Sequence, residues 1–297
     1  MMNLLPYVLV LLAAILWGTV GTTQTFLTEG IQPLTVAAMR SGIGGGMLLI
    51  IAIAMKKIQF RHWSWKYTFY AALSMALFQP LFFTSVRLTG VAIGTVVTIG
   101  SSPVFAGLIE WLYFKNKPTR TWGIATVLAI FGCVLLFVNK GQATVNPLGI
   151  SLALCAGIAF ATYTHVSKSL MDKEAALPAV AMTFSMCGLL LLPMALILGL
   201  DWVTQSANWP PLLFMGVFGT SIAYVLFLTG LQKILSSSAV TLSLGEPLTA
   251  ALLGVFLVGE YLSVASWIGV AMLLGGIIVI TFGGRTKSSP QIEARVE

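Results

Sequence analysis

The sequence contains little charge and few of the residues on which catalysis and metal binding usually depend. Only 8% of its 297 residues are Asp, Glu, Lys or Arg, whereas a soluble globular domain carries about 25%. It has 2 His and 3 widely separated Cys, and we find no zinc-protease, serine-hydrolase or P-loop pattern in it. These shortages exclude an ordinary water-soluble enzyme and a disordered chain. They also predict a protein that uses no cofactor or metal and is not an ATP-driven pump.

Long apolar runs are what the sequence has instead. A helix that crosses the hydrocarbon core of a membrane needs about 20 mostly apolar residues, and ten stretches of this kind fill most of the chain. The sequence therefore predicts an all-α membrane protein with ten transmembrane helices. The predicted spans are 4–26, 33–54, 67–86, 91–114, 121–138, 147–168, 178–199, 209–231, 236–258 and 262–282.

The basic residues are distributed unevenly between the two sides of the predicted membrane. Thirteen of the 16 Lys and Arg fall on the side of both termini, Arg87 and Lys140 fall on the other side, and Arg40 lies within the second span. Because cytoplasmic loops are enriched in Lys and Arg, this bias predicts that both termini are cytoplasmic. It also explains the net charge of +7 without a nucleic-acid partner, and leaves membrane lipid and a small-molecule substrate as the predicted partners.

Two segments that lie 144 residues apart are similar. Residues 99–108 (IGSSPVFAGL) align with residues 243–252 (SLGEPLTAAL), and each segment has a proline in the middle of its span. Five spans per half require the second half to enter the membrane from the opposite side, and such inverted repeats are typical of secondary transporters. The sequence predicts two five-helix repeats, at 1–140 and 141–284, and a cytoplasmic tail at 285–297. A duplicated structural bundle without transport is the alternative.

Several short motifs resemble those of one family of membrane proteins. Residues 16–19 (LWGT) resemble its opening signature, and residues 32–40 (QPLTVAAMR) resemble the start of its second helix. Residues 245–254 (GEPLTAALLG), followed by 258–260 (VGE), are similar to its C-terminal motif. In order and spacing the sequence resembles the EamA-type branch of the drug/metabolite transporter (DMT) superfamily. The resemblance implies a ten-helix exporter of small metabolites in the inner membrane.

Glu246 is the leading candidate for substrate binding or ion coupling. It lies about ten residues into the ninth span, roughly 15 Å along the helix, and the next residue, Pro247, removes a backbone hydrogen bond. A carboxylate at this depth is costly unless a cation pairs with it, which suits a proton, a cation or an ammonium group. A structural contact between helix ends is the alternative. In the first half Ser102 stands at the equivalent position, so a carboxylate pair across the repeat is not available.

Arg40 and Gln79 are further polar candidates inside predicted spans. Arg40 lies about two turns into the second span; it could attract a substrate carboxylate, pair with Glu29 or reach the outer headgroups. The amide of Gln79 needs hydrogen-bond partners, which a substrate or a neighbouring helix would supply. Helix breaks are predicted at Pro80, Pro103 and Pro247.

Two spans carry polar stripes that predict the walls of a cavity. The stripe of the fourth span, within an arc of about 60°, consists of Thr95, Thr98 and Ser102. The stripe of the ninth span, within an arc of about 80°, consists of Ser238, Glu246 and Thr249. Hydrogen bonding between helices is the alternative interpretation. The aromatic candidates for stacking on an organic substrate, which would otherwise be core residues, are Trp17, Tyr163 and Tyr224.

Two other features are interpreted as structural. Glu110 lies near the predicted cytoplasmic end of the fourth span and is followed by Lys115 and Lys117, so we expect it to form an ion pair at the interface. Gly42 and Gly46 form a G-x-x-x-G pair, which predicts close helix packing. We interpret this pair as an internal seam, and a monomer or a weak dimer is the expected state.

The sequence favours a secondary transporter that exports a small organic solute by alternating access. The resemblance implies a cavity lined by the first, third, fourth, sixth, eighth and ninth spans. Arg40 suits a carboxylate and Glu246 suits an amine, so an amino acid or related zwitterion is the preferred substrate and a proton the expected coupling ion. Drug-like cations and phosphorylated sugars are alternatives within the same fold. A passive channel, or a membrane enzyme or assembly factor, is the alternative of another class.

Overall fold

A computed structural model of the chain describes residues 4–137, 146–259 and 261–283, and these residues form helices and connections without a strand. Nine helices in this part of the chain are long and apolar enough to cross a membrane. They are α1 (Leu5–Gln24), α2 (Pro33–Ala54), α3 (Trp65–Leu112), α4 (Arg120–Phe137), α5 (Pro147–Met171), α6 (Ala176–Leu198), α7 (Ser206–Leu231), α8 (Ser236–Leu257) and α9 (Val264–Gly283). The predicted all-α, multi-pass architecture is confirmed, while the predicted tail at 285–297 lies outside the described residues.

The longest helix, α3, contains one break, at Gly90. Its 48 residues would extend about 72 Å as a straight helix, more than twice the roughly 30 Å of a hydrocarbon core. Gly90 has φ 84° and ψ 160°, a conformation that is open only to glycine. Next to this break a Cβ on Gly94 would lie 2.8 Å from Cα of Val86, so the chain folds back on itself. We call the two segments α3a (65–89) and α3b (91–112).

This division relates the nine helices to the predicted spans. The third and fourth predicted spans correspond to α3a and α3b, so α8 corresponds to the ninth span and α9 to the tenth. Several predicted starts are also explained, because Pro33 and Pro147 occupy the first turns of α2 and α5, where a proline sacrifices no hydrogen bond.

Helix packing is close wherever small residues meet. The principal neighbours are α3 with α5, α2 with α6, and α4 with α9. A Cβ on Gly132 of α4 would lie 2.7 Å from the carbonyl oxygen of Gly269 on α9, and a Cβ on Gly188 of α6 would lie 2.8 Å from the amide nitrogen of Gly42 on α2. Small residues at such seams let membrane helices approach backbone to backbone.

Gly42 borders the seam between α2 and α6 through its backbone, but a Cβ on Gly42 or Gly46 would have no neighbour within 4 Å among the described residues. The α2 glycine that packs tightly on α6, against the backbone of Ser185, is Gly45. The predicted Gly42–Gly46 pair is therefore not the seam.

The expected helix breaks at Pro80 and Pro103 are not found. Both prolines lie inside α3, where Gly90 is the residue with non-helical φ and ψ. A membrane helix tolerates the hydrogen bond that a proline removes when its neighbours satisfy or shield the freed carbonyl group. In α8, by contrast, a turn at Ser243 and Leu244 separates the helical stretches Ser236–Leu242 and Gly245–Leu253.

Candidate functional site

The helices enclose a cavity of about 310 Å³. Residues from α1, α2, α3a, α3b, α4, α5, α7 and α8 line it, so both predicted halves contribute. Eight of the ten predicted binding residues lie on its wall: Trp17, Arg40, Gln79, Thr95, Thr98, Ser102, Tyr224 and Glu246. A volume of this size matches the lower end of the range of small-molecule sites, about 300–1,000 Å³.

The interrupted helix α8 places Glu246 on the cavity wall. Because Pro247 has no N–H group, the Ser243 carbonyl lacks its usual donor from Pro247, and it accepts from the Glu246 amide at 2.9 Å instead. Glu246 consequently lies in the first turn of the second helical stretch, next to Ser243 and Pro247 on the wall. Within the described part of the chain, no side chain donates a hydrogen bond to its carboxylate. This carboxylate is therefore available to a cationic group in the cavity.

Arg40 reaches the same cavity from α2. Its Nη1 atom donates to the hydroxyl oxygen of Thr220 at 3.3 Å, and Thr220 lies in a π-helical stretch of α7, Met215–Ile222. Among the described residues Arg40 makes no ion pair with the exposed Glu29. The side chain is thus held inside the bundle on the wall of the cavity that Glu246 also lines, and among the described residues the two form no direct ion pair.

The π-helical stretch of α7 is held against α2 by a second contact. The hydroxyl of Ser221 donates to the carbonyl of Gly44 at 2.9 Å. A Cβ on Gly44 would have no room beside the carbonyl of Gly216, so glycine is required at this crossing. π-Helical turns occur frequently at functional sites, and here the turn brings Thr220 to the guanidinium group of Arg40.

Aromatic rings form the apolar side of the cavity. The ring centroid of Trp17 lies 4.8 Å from that of Tyr224 and 6.2 Å from that of Phe160. Phe78 stacks on Phe82 at 5.6 Å and lies 5.8 Å from Phe160. These rings offer a broad apolar surface to the hydrocarbon or aromatic part of a solute.

Two predicted site residues lie away from the cavity wall. Tyr163 is fully buried behind it, with its ring centroid 5.9 Å from that of Tyr224. Thr249 donates its hydroxyl to the carbonyl of Gly245 at 2.8 Å, and its methyl group packs against Gly18 of α1. In this structure both residues therefore support wall residues without lining the cavity.

Most of the aromatic wall was not predicted from the sequence. The lining residues that were not predicted include Gln24, Phe78, Phe82, Phe83, Phe160 and Ser243. One signal was available, because Phe78 with Phe82 and Gln79 with Phe83 are i, i+4 pairs that share a helix face. Phenylalanine is otherwise as common on lipid-facing surfaces as on cavity walls, so its type alone carried no information.

Polar atoms without partners lie at or just beneath the cavity surface. Nε1 of Trp17, Nε2 of Gln79 and Oγ1 of Thr98 are buried and have no hydrogen-bond partner among the described residues. Buried polar atoms are nearly always paired, and these three belong to residues that line one cavity, while other unpartnered atoms, such as Nε1 of Trp122, lie elsewhere in the bundle.

The cavity extends toward one end of the bundle. Its wall includes Gln24 at the end of α1, Phe137 at the end of α4 and Val91 beside the break in α3, and Val91 is 65% exposed. These residues all lie at the same end, which we call the mouth. The fold and this cavity define a multi-pass, all-α membrane protein whose helices enclose a cavity of small-molecule size.

The family model of the EamA-like transporter family matches residues 4–138 and again residues 147–282. The chain belongs to this family of the DMT superfamily, as its motifs predicted. It is 42% identical to the uncharacterized transporter YwfM of Bacillus subtilis over 95% of both chains. It is 28% identical to Protein PecM of Dickeya dadantii over 94% of both chains. The chain is thus a membrane transporter by family.

A solved crystal structure of a protein has the same fold, with a TM-score of 0.83 over 96% of this chain and 99% of that one. The two sequences are 17% identical, so this likeness concerns the fold alone. It extends over helices from both predicted halves.

Proposed function

We propose that this transporter is a secondary carrier that exports an amino acid or a related zwitterion by alternating access. The observation that carries the proposal is the presence of Arg40, Glu246 and unpartnered donors on the wall of one cavity. Glu246 matches an ammonium group, Arg40 matches a carboxylate, and the aromatic rings match an apolar side chain. A phosphorylated sugar would leave Glu246 facing an anion, and a drug-like cation would leave Arg40 facing a cation.

The proposed topology has ten crossings in two inverted five-helix repeats, with boundaries at 1–140 and 141–284. Three findings support it. The same family model matches each half, and the break at Gly90 divides α3 into two segments of crossing length. The close pairs α2 with α6 and α4 with α9 also join helices that the repeat makes equivalent. The excess of Lys and Arg beside the termini favours an inner-membrane protein with cytoplasmic termini.

We further propose that Glu246 couples transport to protons. A carboxylate within the membrane can hold a proton or a substrate ammonium group, and each excludes the other. Competition of this kind lets an inward proton gradient drive the solute outward. The chain contains no P-loop, so a gradient is the energy source that fits its sequence.

The test is to measure the metabolites that cells release when they overproduce the protein. Glu246→Gln is compared with Glu29→Gln, the same chemical change at an exposed residue outside the cavity wall. We expect a zwitterionic metabolite to accumulate outside cells that make the wild type or Glu29→Gln, and not outside cells that make Glu246→Gln at equal abundance. Equal release by all cells, including those without the protein, across a broad panel of zwitterions would exclude the proposed export.

Reconstitution distinguishes a carrier from a channel. Labelled solute should enter vesicles that are preloaded with unlabelled solute faster than it enters empty vesicles, because a carrier exchanges solute as it alternates. A passive channel shows neither this counterflow nor saturation. If the vesicles take up the solute but show neither counterflow nor saturation, the protein is a channel and the carrier proposal is wrong.

A further inference from the structure

Two charged side chains, the buried Glu110 and the partly buried Lys168, hold the connection between α7 and α8 at the end of the bundle opposite the mouth. Glu110 on α3b is 5% exposed, and its Oε2 atom accepts a hydrogen bond from the backbone amide of Ser237 at 3.0 Å. On the other side of the connection, Nζ of Lys168 donates to the carbonyl of Leu231 at 2.9 Å and to the carbonyl of Ile234. The acid therefore caps the start of α8, and the base caps the end of α7.

The signs of these charges match the helix ends that they contact. The first amide groups of a helix and its last carbonyl groups have no partners within the helix, and the helix dipole favours an anion at the start and a cation at the end. Glu110 and Lys168 satisfy these two demands, and at Glu110 water is largely excluded. Contacts of this type are charge-assisted and stronger than neutral hydrogen bonds.

Apolar layers separate this charged cap from the cavity. Phe160 and Val240 line the cavity, and Val240 packs directly on Ala106 and Ala161, both fully buried. Farther toward the same end, Phe114 stacks on His165 with ring centroids 5.5 Å apart. The cavity is thus closed at this end by α3b, α5 and α8.

The sequence repeat places no equivalent cap at the mouth. At the offset of 144 that aligns the two halves, Gly254 stands in the position of Glu110 and Ile93 in the position of Ser237. The position equivalent to Glu110 therefore has no carboxylate that could close the mouth. Since the two ends would otherwise be related by the repeat, this difference supplies a reason for one end being closed while the other is open.

We propose that the bond from Glu110 to the amide of Ser237 is a latch that keeps the transporter open at the mouth. It must break before the cavity can open at the opposite end, which is the cytoplasmic end in the proposed topology. A buried carboxylate cannot lose its donor without gaining water, so release of the latch and entry of water from that end occur together. The inference rests on the proposed alternating access and names the residue that controls it.

The chain offers matched substitutions for a test. Ser237→Pro removes the amide hydrogen, and the second residue of a helix tolerates proline, as Pro6 shows in the same position of α1. Ser237→Ala removes only the hydroxyl and keeps the donor. Glu110→Ala removes the acceptor, whereas Glu110→Gln keeps an acceptor oxygen without the charge.

Access to the closed end is measured with a cysteine at position 106, introduced by Ala106→Cys in a chain that also carries Cys155→Ala. The purified protein in lipid nanodiscs is treated with a water-soluble maleimide, and mass spectrometry gives the labelling rate at each site. Both ends of the bundle face solvent in a nanodisc, so the readout does not depend on orientation. The buried Cys133 and Cys187 must stay unlabelled, which shows that the fold is intact.

We expect Glu110→Ala and Ser237→Pro to raise the labelling rate at position 106 about 10- to 100-fold, the change that corresponds to losing a hydrogen bond to a charged group. Ser237→Ala should label at the parent rate, and Glu110→Gln should lie between. Parent rates in both Glu110→Ala and Ser237→Pro would overturn the latch. Because no solute is present, this result would leave the export proposal intact; conversely, faster labelling in a protein that releases no solute would uphold the latch and exclude export.

Discussion

The guanidinium group of Arg40 lies 3.3 Å from the hydroxyl oxygen of Thr220, a residue 180 positions later in the sequence. This contact joins α2 of the first predicted repeat to the π-helical stretch of α7 in the second. It places a cation on the wall of a cavity where Glu246 is the one acidic side chain among the described lining residues. The distribution of charge in the cavity therefore depends on how α7 is wound.

Thr220→Val should weaken the binding of a carboxylate-containing solute, because it removes the oxygen that orients Arg40. A hydrogen bond to a charged group corresponds to about 1.5–3 kcal/mol, so we expect the apparent KM to rise about 10-fold or more. Thr220→Ser keeps the oxygen and should retain the wild-type KM. Counterflow in proteoliposomes gives both values, and an equal KM in all three proteins would contradict a positioning role.

Trp17→Phe should reduce solute affinity by more than the loss of buried ring atoms alone would. The substitution removes the Nε1 donor but keeps a ring against Tyr224 and Phe227, whose centroids lie 4.8 and 5.2 Å from that of Trp17. Trp122→Phe is the matched control, since its Nε1 is also buried and unpartnered but does not line the cavity. A neutral hydrogen bond corresponds to about 0.5–1.5 kcal/mol, so the apparent KM should rise about two- to tenfold in Trp17→Phe alone. If both substitutions raised the apparent KM equally, the effect would result from altered packing and not from the lost donor.

Hydropathy and backbone chemistry made most of the fold predictable. Ten apolar runs and prolines such as Pro33 and Pro147 indicated where helices lie and begin, since both features act locally. The joining of α3a and α3b into one helical element was not predicted. It depends on Gly90, whose φ of 84° is a conformational choice that hydropathy does not reveal.

The polar part of the candidate site was more predictable than its apolar part. Arg40, Gln79 and Glu246 stand out because ionisable and amide groups are rare within membrane spans. Phe78 and Phe160 do not stand out, since the same residue type faces lipid elsewhere in the chain.

Contacts between distant residues escaped the sequence analysis altogether. Glu110 was expected to pair with Lys115 or Lys117 at the interface, yet it accepts from the amide of Ser237, 127 residues away. Local spacing predicts neighbours on the same helix. It contains no information about which helix end arrives from the other half of the chain, so the role of Glu110 emerged from the structure.

Gly18→Ala should destabilise the contact between α1 and α8 beside the cavity. A Cβ at this position would lie 2.8 Å from the carbonyl oxygen of Glu246 and 2.5 Å from Cβ of Thr249, so the two helices would have to separate. Overpacking of this kind costs about 1–3 kcal/mol, and we expect a lower Tm and weaker export. Gly46→Ala on α2 adds the same group where nothing lies within 4 Å, outside the cavity wall, and should leave both unchanged. A wild-type Tm in Gly18→Ala would contradict this prediction and show that α1 and α8 can move apart without loss of stability.

The proposed proton coupling makes a prediction about the pH dependence of transport. In wild-type proteoliposomes, solute movement should carry protons in the opposite direction, which an internal pH-sensitive dye records. Glu246→Gln cannot exchange a proton at this position, so any residual solute exchange should cause no pH change and its rate should not depend on pH between about 5 and 8. Glu29→Gln, which alters an exposed carboxylate away from the cavity wall, should retain the wild-type proton movement. If Glu246→Gln transported at the wild-type rate and with the wild-type pH dependence, Glu246 would not couple transport to protons. Its carboxylate would then serve substrate binding or helix packing.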